Sequence, residues 1–227
     1  MTAGAGIQCS SEARGGGARG AQRQEMRATG DRSRENGSRR TLILEAALEV
    51  LRRDGPAKAS MTEIARRAGL SRQGLYLHFS SKDELTYQAA RHAFEVAHAD
   101  ARAALESGWP VLDRLAGALA AKHAPRHGGT ASRAARFWQG YEAPVIDRII
   151  EMSDGFDKSF IELLAGALES DGGPSRTEDT SGASLVALAT VLDATARGLA
   201  LAAHRISRKD HVELVRLAVA RLCAPCR

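Results

Sequence analysis

Ser60-Met61-Thr62-Glu63-Ile64-Ala65-Arg66-Arg67-Ala68-Gly69-Leu70-Ser71-Arg72-Gln73-Gly74-Leu75-Tyr76-Leu77-His78-Phe79-Ser80-Ser81-Lys82-Asp83-Glu84-Leu85 is the run on which the fold turns. Its opening, Ser60-Met61-Thr62-Glu63, has capping-box spacing. The Ser hydroxyl and Glu carboxylate are expected to satisfy each other's free backbone N–H groups. Ile64, Ala65 and Ala68 carry the helix to Gly69, the residue type suited to the left-handed conformation that closes a helix. Ser71 then caps a third, short helix reaching about Phe79, and Ser80-Ser81-Lys82-Asp83-Glu84 opens a fourth with acids in its first turn. Two short helices joined by a tight glycine turn form a helix-turn-helix. Ala65 must be small where the helices cross, and Ile64, Leu70 and Leu75 supply the little core that fixes their angle.

The pattern extends to both sides. Upstream, Leu44, Ala47, Leu48 and Leu51 recur at helical spacing, and Arg52-Arg53-Asp54-Gly55-Pro56 stops that helix. Downstream, the fourth helix continues to about Ser107. Further helices are expected over Val111–His123, Ala131–Tyr141, Pro144–Glu169, Ala183–Arg205 and Lys209–Leu222, with a Gly/Ser/Asp/Thr-rich loop at Ser170–Gly182. No stretch alternates as a strand does. The expected fold is all-α. Residues 1–38, with Gly15-Gly16-Gly17 and few large apolar side chains, form a disordered tail. Residues 39–86 form a three-helix helix-turn-helix domain, and residues 87–227 a larger helical domain.

Composition agrees. The chain has 227 residues, enough for a proper core without staples; 44% are hydrophobic but only 4% aromatic, a balance that suits packed helices. Lys and Arg number 32 against 27 acids, and the whole excess of +5 falls before residue 91. A basic end on a neutral body points to a polyanionic partner. Three cysteines cannot pair completely, and no secretory signal opens the chain, so a cytoplasmic setting is expected. The most apolar stretch, Ala183–Ala203, contains Asp193 and Arg197, which would be costly in lipid; a buried or interface helix is expected there, with no membrane partner.

In a helix-turn-helix the second helix enters the major groove and its first residues reach base edges. Arg72 can read guanine, Gln73 adenine, and Leu77 can touch a thymine methyl. The helix start at Ser71 can offer backbone N–H groups to a phosphate. The same run resembles the TetR-family DNA-binding domain. The marks are Ile64-Ala65, Ala68-Gly69-Leu70-Ser71, Leu75-Tyr76-x-His78-Phe79 and Lys82-Asp83-x-Leu85, in register over the run. The resemblance implies a dimeric, ligand-responsive regulator of transcription, usually a repressor. It places Thr62, Arg72, Gln73, Gly74 and Leu77 at bases or adjacent backbone, and Tyr76, His78 and Lys82 at phosphates. Gly74 departs from a side chain able to touch a base.

Other constellations carry less. Cys223-Ala224-Pro225-Cys226 has C-x-x-C spacing without the βαβ context of a redox motif, and a helical thiol oxidoreductase is kept as an alternative, beside a non-DNA adaptor dimer. His123 and His127 lie close together but without nearby Cys, so no metal or other cofactor is expected, nor an enzyme. Phe94, His98, Phe137, Trp138, Tyr141, Phe156 and Phe160 are candidate walls of an effector pocket. Ala183–Arg205 is apolar nearly all round, and Val212, Val215, Val219 and Leu222 form one stripe. Both last helices are therefore expected to pair with a second copy in a homodimer. The fourth helix, beginning at Lys82 and running toward Ala101, would belong to both domains and carry a displacement from effector to operator DNA.

Overall fold

Every regular element among the described residues of the computed structural model is a helix; those residues are 37–123, 144–170, 182–201 and 207–223. The helices are α1 (residues 37–54), α2 (Met61–Arg67), α3 (Arg72–Tyr76), α4 (Lys82–Leu105), α5 (Val111–His123), α6 (Pro144–Ser170), α7 (Gly182–Leu201) and α8 (Arg208–Leu222). The chain divides into two compact units at Leu42/Ile43, and everything from Ile43 onward belongs to the second. The candidate helix Ala131–Tyr141, the tail up to residue 36 and most of the Ser170–Gly182 loop lie outside the described residues. Among the described residues no helix is long and apolar enough to cross a membrane.

Serine begins four of these helices. Ser60, Ser71 and Ser81 accept hydrogen bonds from the N–H groups of Glu63, Gly74 and Glu84 at 3.2, 3.0 and 3.1 Å. The box expected at Ser60 is only half made. The Glu63 carboxylate instead accepts from Arg66 and Arg53, because two guanidinium groups outcompete one backbone N–H. The reciprocal box occurs at α8, where Ser207 accepts from Asp210 N–H and the Asp210 carboxylate accepts from Ser207 N–H, each at 3.2 Å. Helix α3 ends at Tyr76, short of the expected Phe79. Leu77 N–H and His78 N–H turn back to the carbonyls of Gly74 and Leu75, a tighter i→i+3 closure.

Two buried clusters organise the second unit. The first joins Ile43, Leu44, Ala47, Val50 and Leu51 of α1 to Ile64 and Ala65 of α2, Leu75 of α3, Phe79, and Leu85 and Ala89 of α4. The second joins Ala101 and Leu105 of α4 to Leu115 and Leu119 of α5, Phe160, Leu164 and Leu168 of α6, Leu192 and Ala196 of α7, and Val215 and Val219 of α8. Helix α4 thus gives one end to each cluster. Its 24 residues span about 36 Å at 1.5 Å per residue.

The second cluster is bounded by a network of charges. Asp193, 3% exposed, accepts from Lys122 Nζ at 2.9 Å and His123 Nε2 at 2.7 Å through Oδ1, and from Arg197 Nη2 at 3.0 Å through Oδ2. Asp157 of α6 closes the ring, pairing with Lys122 at 2.9 Å and Arg197 at 2.7 Å. Burial pushes the Asp193 carboxyl up, but the His123 and Lys122 partners outweigh it and hold it well below the ordinary carboxylate range. Helices α5, α6 and α7 are thereby tied by side chains that no local sequence pattern connects. Removing one member of a buried ion pair leaves the other charge uncompensated, at a cost of about 3–5 kcal/mol. Asp193→Ala is therefore expected to lower the thermal midpoint sharply. In the wild type this carboxylate's contribution is present above its unfolded pKa of 3.8 and is lost as pH falls through the lowered native value. An acid titration that shows this loss in the wild type and a smaller one in Asp193→Ala checks both points.

Candidate nucleic-acid interface

The turn between α2 and α3 follows from one backbone conformation. Gly69 has φ +68°, which a side chain would strain. Its N–H bonds to Arg66 O at 3.2 Å, and Leu70 N–H bonds to Ala65 O at 2.8 Å, the paired closure of a Schellman motif. Ile64 and Leu75 are fully buried at the crossing, Ala65 is nearly so, and Leu70 packs on the same cluster from a half-buried position. The small core read from the sequence is therefore present, and it fixes which face of α3 looks outward.

That face carries most of the candidate contacts. Thr62, Ser71, Arg72, Gln73, Tyr76 and Leu77 are exposed, and Gly74, His78 and Lys82 are partly so. Leu77 is 84% exposed, which removes packing on α1 as its role. Tyr76 is 41% exposed and lies outside the core. The Arg72 guanidinium sits 5.7 Å from the centre of the Tyr76 ring, so the two side chains support each other on the surface. Lys82 reaches the Ala57 carbonyl with Nζ at 3.4 Å, which holds its amine at the edge of the unit. A Cβ on Gly74 would meet Ser71 Oγ at 3.2 Å, so the bare position also leaves room for the cap of its own helix.

Sequence patterning missed the ionic frame behind this face. Arg53 bonds to Asp54 and Glu63, Glu63 to Arg66, and Arg67 to Glu49. Hydrogen bonds from Arg66 and Arg53 lower the Glu63 carboxyl to about 2. Two of these pairs link α1 to α2 across residues 10 and 18 apart, and Glu63–Arg66 is an i,i+3 pair within α2.

The candidate effector residues are placed unevenly. Phe94 of α4 and Phe156 of α6 stack with centroids 5.4 Å apart, and His98 stands edge-on to Phe156 at 5.7 Å. Phe160 is not an open wall: it is buried in the second cluster, with Lys122 Nζ 4.2 Å above its ring. Phe137, Trp138 and Tyr141 lie outside the described residues, as does Cys226. Burial pushes the thiol of half-buried Cys223 up, opposite to the depressed value that thiol exchange requires. Among the described residues no three His, Cys, Asp or Glu side chains are grouped to hold a metal ion.

The last two helices correct one expectation. Val215 and Val219 face their own chain's core, so they cannot pair with a second copy. The outward apolar residues are instead Val186, Val191 and Leu201 on α7, and Leu214, Leu217 and Leu222 on α8.

Comparison with known proteins agrees with this geometry. Residues 43–88 match the model of bacterial regulatory proteins of the tetR family. The HTH-type transcriptional regulator YvdT of Bacillus subtilis is 37% identical over 76 residues, which cover 32% of this chain and 39% of that protein. The chain thus matches well under half the length of that relative. Two solved structures share the fold over most of both chains. A transcriptional regulator from Rhodococcus sp. Rha1 has a TM-score of 0.60 at 22% identity, covering 81% of this chain and 95% of its own. FadR from Bacillus subtilis, in complex with stearoyl-CoA, has a TM-score of 0.59 at 16% identity, covering 82% and 99%. With the helix-turn-helix built as described and its matching residues in register, residues 43–88 are similar to the DNA-binding unit of the tetR family of bacterial regulatory proteins.

Proposed function

We propose that the protein is a transcriptional repressor that binds an inverted-repeat operator as a homodimer and leaves it when a small molecule binds. The observation that carries the DNA reading is the outward face of α3, with Arg72, Gln73 and Leu77 presented on a unit whose crossing angle is locked by buried Ile64 and Leu75. Arg72, Gln73 and Leu77, with Thr62 beside them, read base edges; Gly74 lets the backbone approach. Ser71, Tyr76, His78 and Lys82 hold phosphates. Residues 39–86 act as the DNA-binding domain and residues 87–227 as the sensing and dimerising domain.

The homodimer reading rests on the exposed apolar residues of α7 and α8. Val191, Ala194, Gly198 and Leu201 recur along one exposed side of α7, and among the described residues nothing lies within 4 Å of a Cβ built on Gly198. Large apolar side chains beside small ones suit close helix pairing with a second copy. A two-fold dimer imposes two-fold symmetry on its DNA site. The effector reading rests on the α4–α6 aromatic contact and on the solved neighbour that holds stearoyl-CoA.

Selection of bound genomic fragments by the full chain tests the DNA reading. An inverted repeat is the expected result; no sequence-selective duplex binding would favour the adaptor dimer instead. On the selected site, Arg72→Ala is expected to cost about 1–3 kcal/mol at one base position and relax the preference there. Lys82→Ala is expected to weaken all sequences alike and to reduce the salt slope by about one. Equal weakening of all sequences by Arg72→Ala would move that residue to the phosphate class.

Leu217, 55% exposed on α8, offers a direct test of assembly. Sedimentation of the wild type at micromolar concentration is expected to show a dimer. Leu217→Arg places a charge in the apolar contact and is expected to give a folded monomer with weakened operator binding. A wild-type monomer, or a dimer indifferent to this substitution, would overturn the interface.

A further inference from the structure

Phe94 and Phe156 stack on each other, yet both rings stay partly exposed and neither belongs to either buried cluster. Beside them stands His98, whose Nε2 is shielded from solvent and has no hydrogen-bond partner among the described residues. A buried polar atom without a partner is costly, and native structures retain few of them. The charges around this point are unbalanced. Arg102 follows on α4, Lys122 lies on α5 with His123, Asp157 on α6, and Asp193 and Arg197 on α7. Counting Lys and Arg against Asp, three cations (Arg102, Lys122 and Arg197) face two carboxylates (Asp157 and Asp193). An incoming anion cancels the excess, whereas a cation would double it.

We propose that this site takes an organic anion, its acid group accepting a hydrogen bond from His98 Nε2–H and its apolar body lying on Phe94 and Phe156. The proposal rests on the effector reading above and names the chemical class of that effector. Burial, with the charges of Arg102 and Lys122, holds the free His98 ring below its ordinary pKa, so the unoccupied ring is neutral. A neutral Nε2–H donates to an acid oxygen, and the nearby cations strengthen the bond without contacting the ligand. Lys122 itself is already engaged by Asp157 and Asp193, so it supplies field and His98 supplies the contact.

The probes are 8-anilinonaphthalene-1-sulfonate and N-phenyl-1-naphthylamine, which share a ring skeleton and differ in the sulfonate. Both are titrated into the full chain and into His98→Phe, with fluorescence as the readout. Phe keeps the aromatic volume and removes the orphaned nitrogen, so His98→Phe is expected to melt no lower than the wild type. Its affinity for the sulfonate is expected to fall about tenfold while that for the neutral amine holds. Arg102→Gln, an exposed change that spares the fold, is expected to weaken the sulfonate alone, and more so at low salt. No sulfonate binding by the folded wild type, unchanged sulfonate affinity in His98→Phe, or equal losses for both probes would overturn the anion site. Sulfonate bound through His98 that left operator affinity unchanged would uphold the anion site and remove the sensing role from it.

Discussion

Helix α4 is the constraint on which the rest depends, because one end of it is buried in each of the two hydrophobic clusters. Leu85 and Ala89 are fully enclosed by the helix-turn-helix core, and Ala101 and Leu105 by the larger bundle. A helix anchored in this way fixes the position of α3 relative to α5, α6 and α7 through a single hydrogen-bonded rod. Residues 90–100 contribute to neither cluster; among the contacts that hold them laterally are Phe94 stacked on Phe156 and His98 edge-on to the same ring. The middle of the rod is therefore where a bound molecule can act on it with the least disruption of packed core.

The charge network around Asp193 has the opposite character. It spans three helices, its centre at Asp193 is closed to solvent while Arg197 lies at the surface, and each carboxylate oxygen has a cationic partner. Such a network adds little net stability over an apolar core of the same shape, but it penalises any helix arrangement that separates its members. Helices α5, α6 and α7 are thus held in one register while α4 crosses beside them. A body of fixed register next to a rod with a lightly held middle is what a two-state response to a ligand needs: a small displacement is passed along rather than absorbed.

The parts of this structure that were legible in the sequence are those set by local chemistry. Serine caps, the positive-φ glycine at Gly69 and the apolar spacing of Ile64, Ala65 and Leu75 act within a few residues, and all appear in place. Helix α5 begins at the expected residue, Val111, because Pro110 marks its start. The parts that were not legible are decided by distant partners. Asp193 meets His123 across 70 residues of chain, and no periodicity encodes that meeting. The valines of α8 form a clean stripe, but a stripe does not say whether it faces its own bundle or a second copy; Val215 and Val219 turned inward. Phe160 likewise joined the core, while Phe94 and Phe156, of the same residue type, stayed at its margin. The Glu63 carboxylate chose two guanidinium groups over its own helix cap, a competition that spacing alone does not decide.

The claim that α4 is a single rigid rod is tested most directly by native-state hydrogen exchange along its backbone, resolved to individual amides. A rod anchored in both clusters predicts continuous protection from Ala89 to Ala101, with the central amides opening only with the unfolding of a flanking cluster. Rapid exchange confined to residues 90–100, with both ends still protected, would show two halves that move independently and would contradict it.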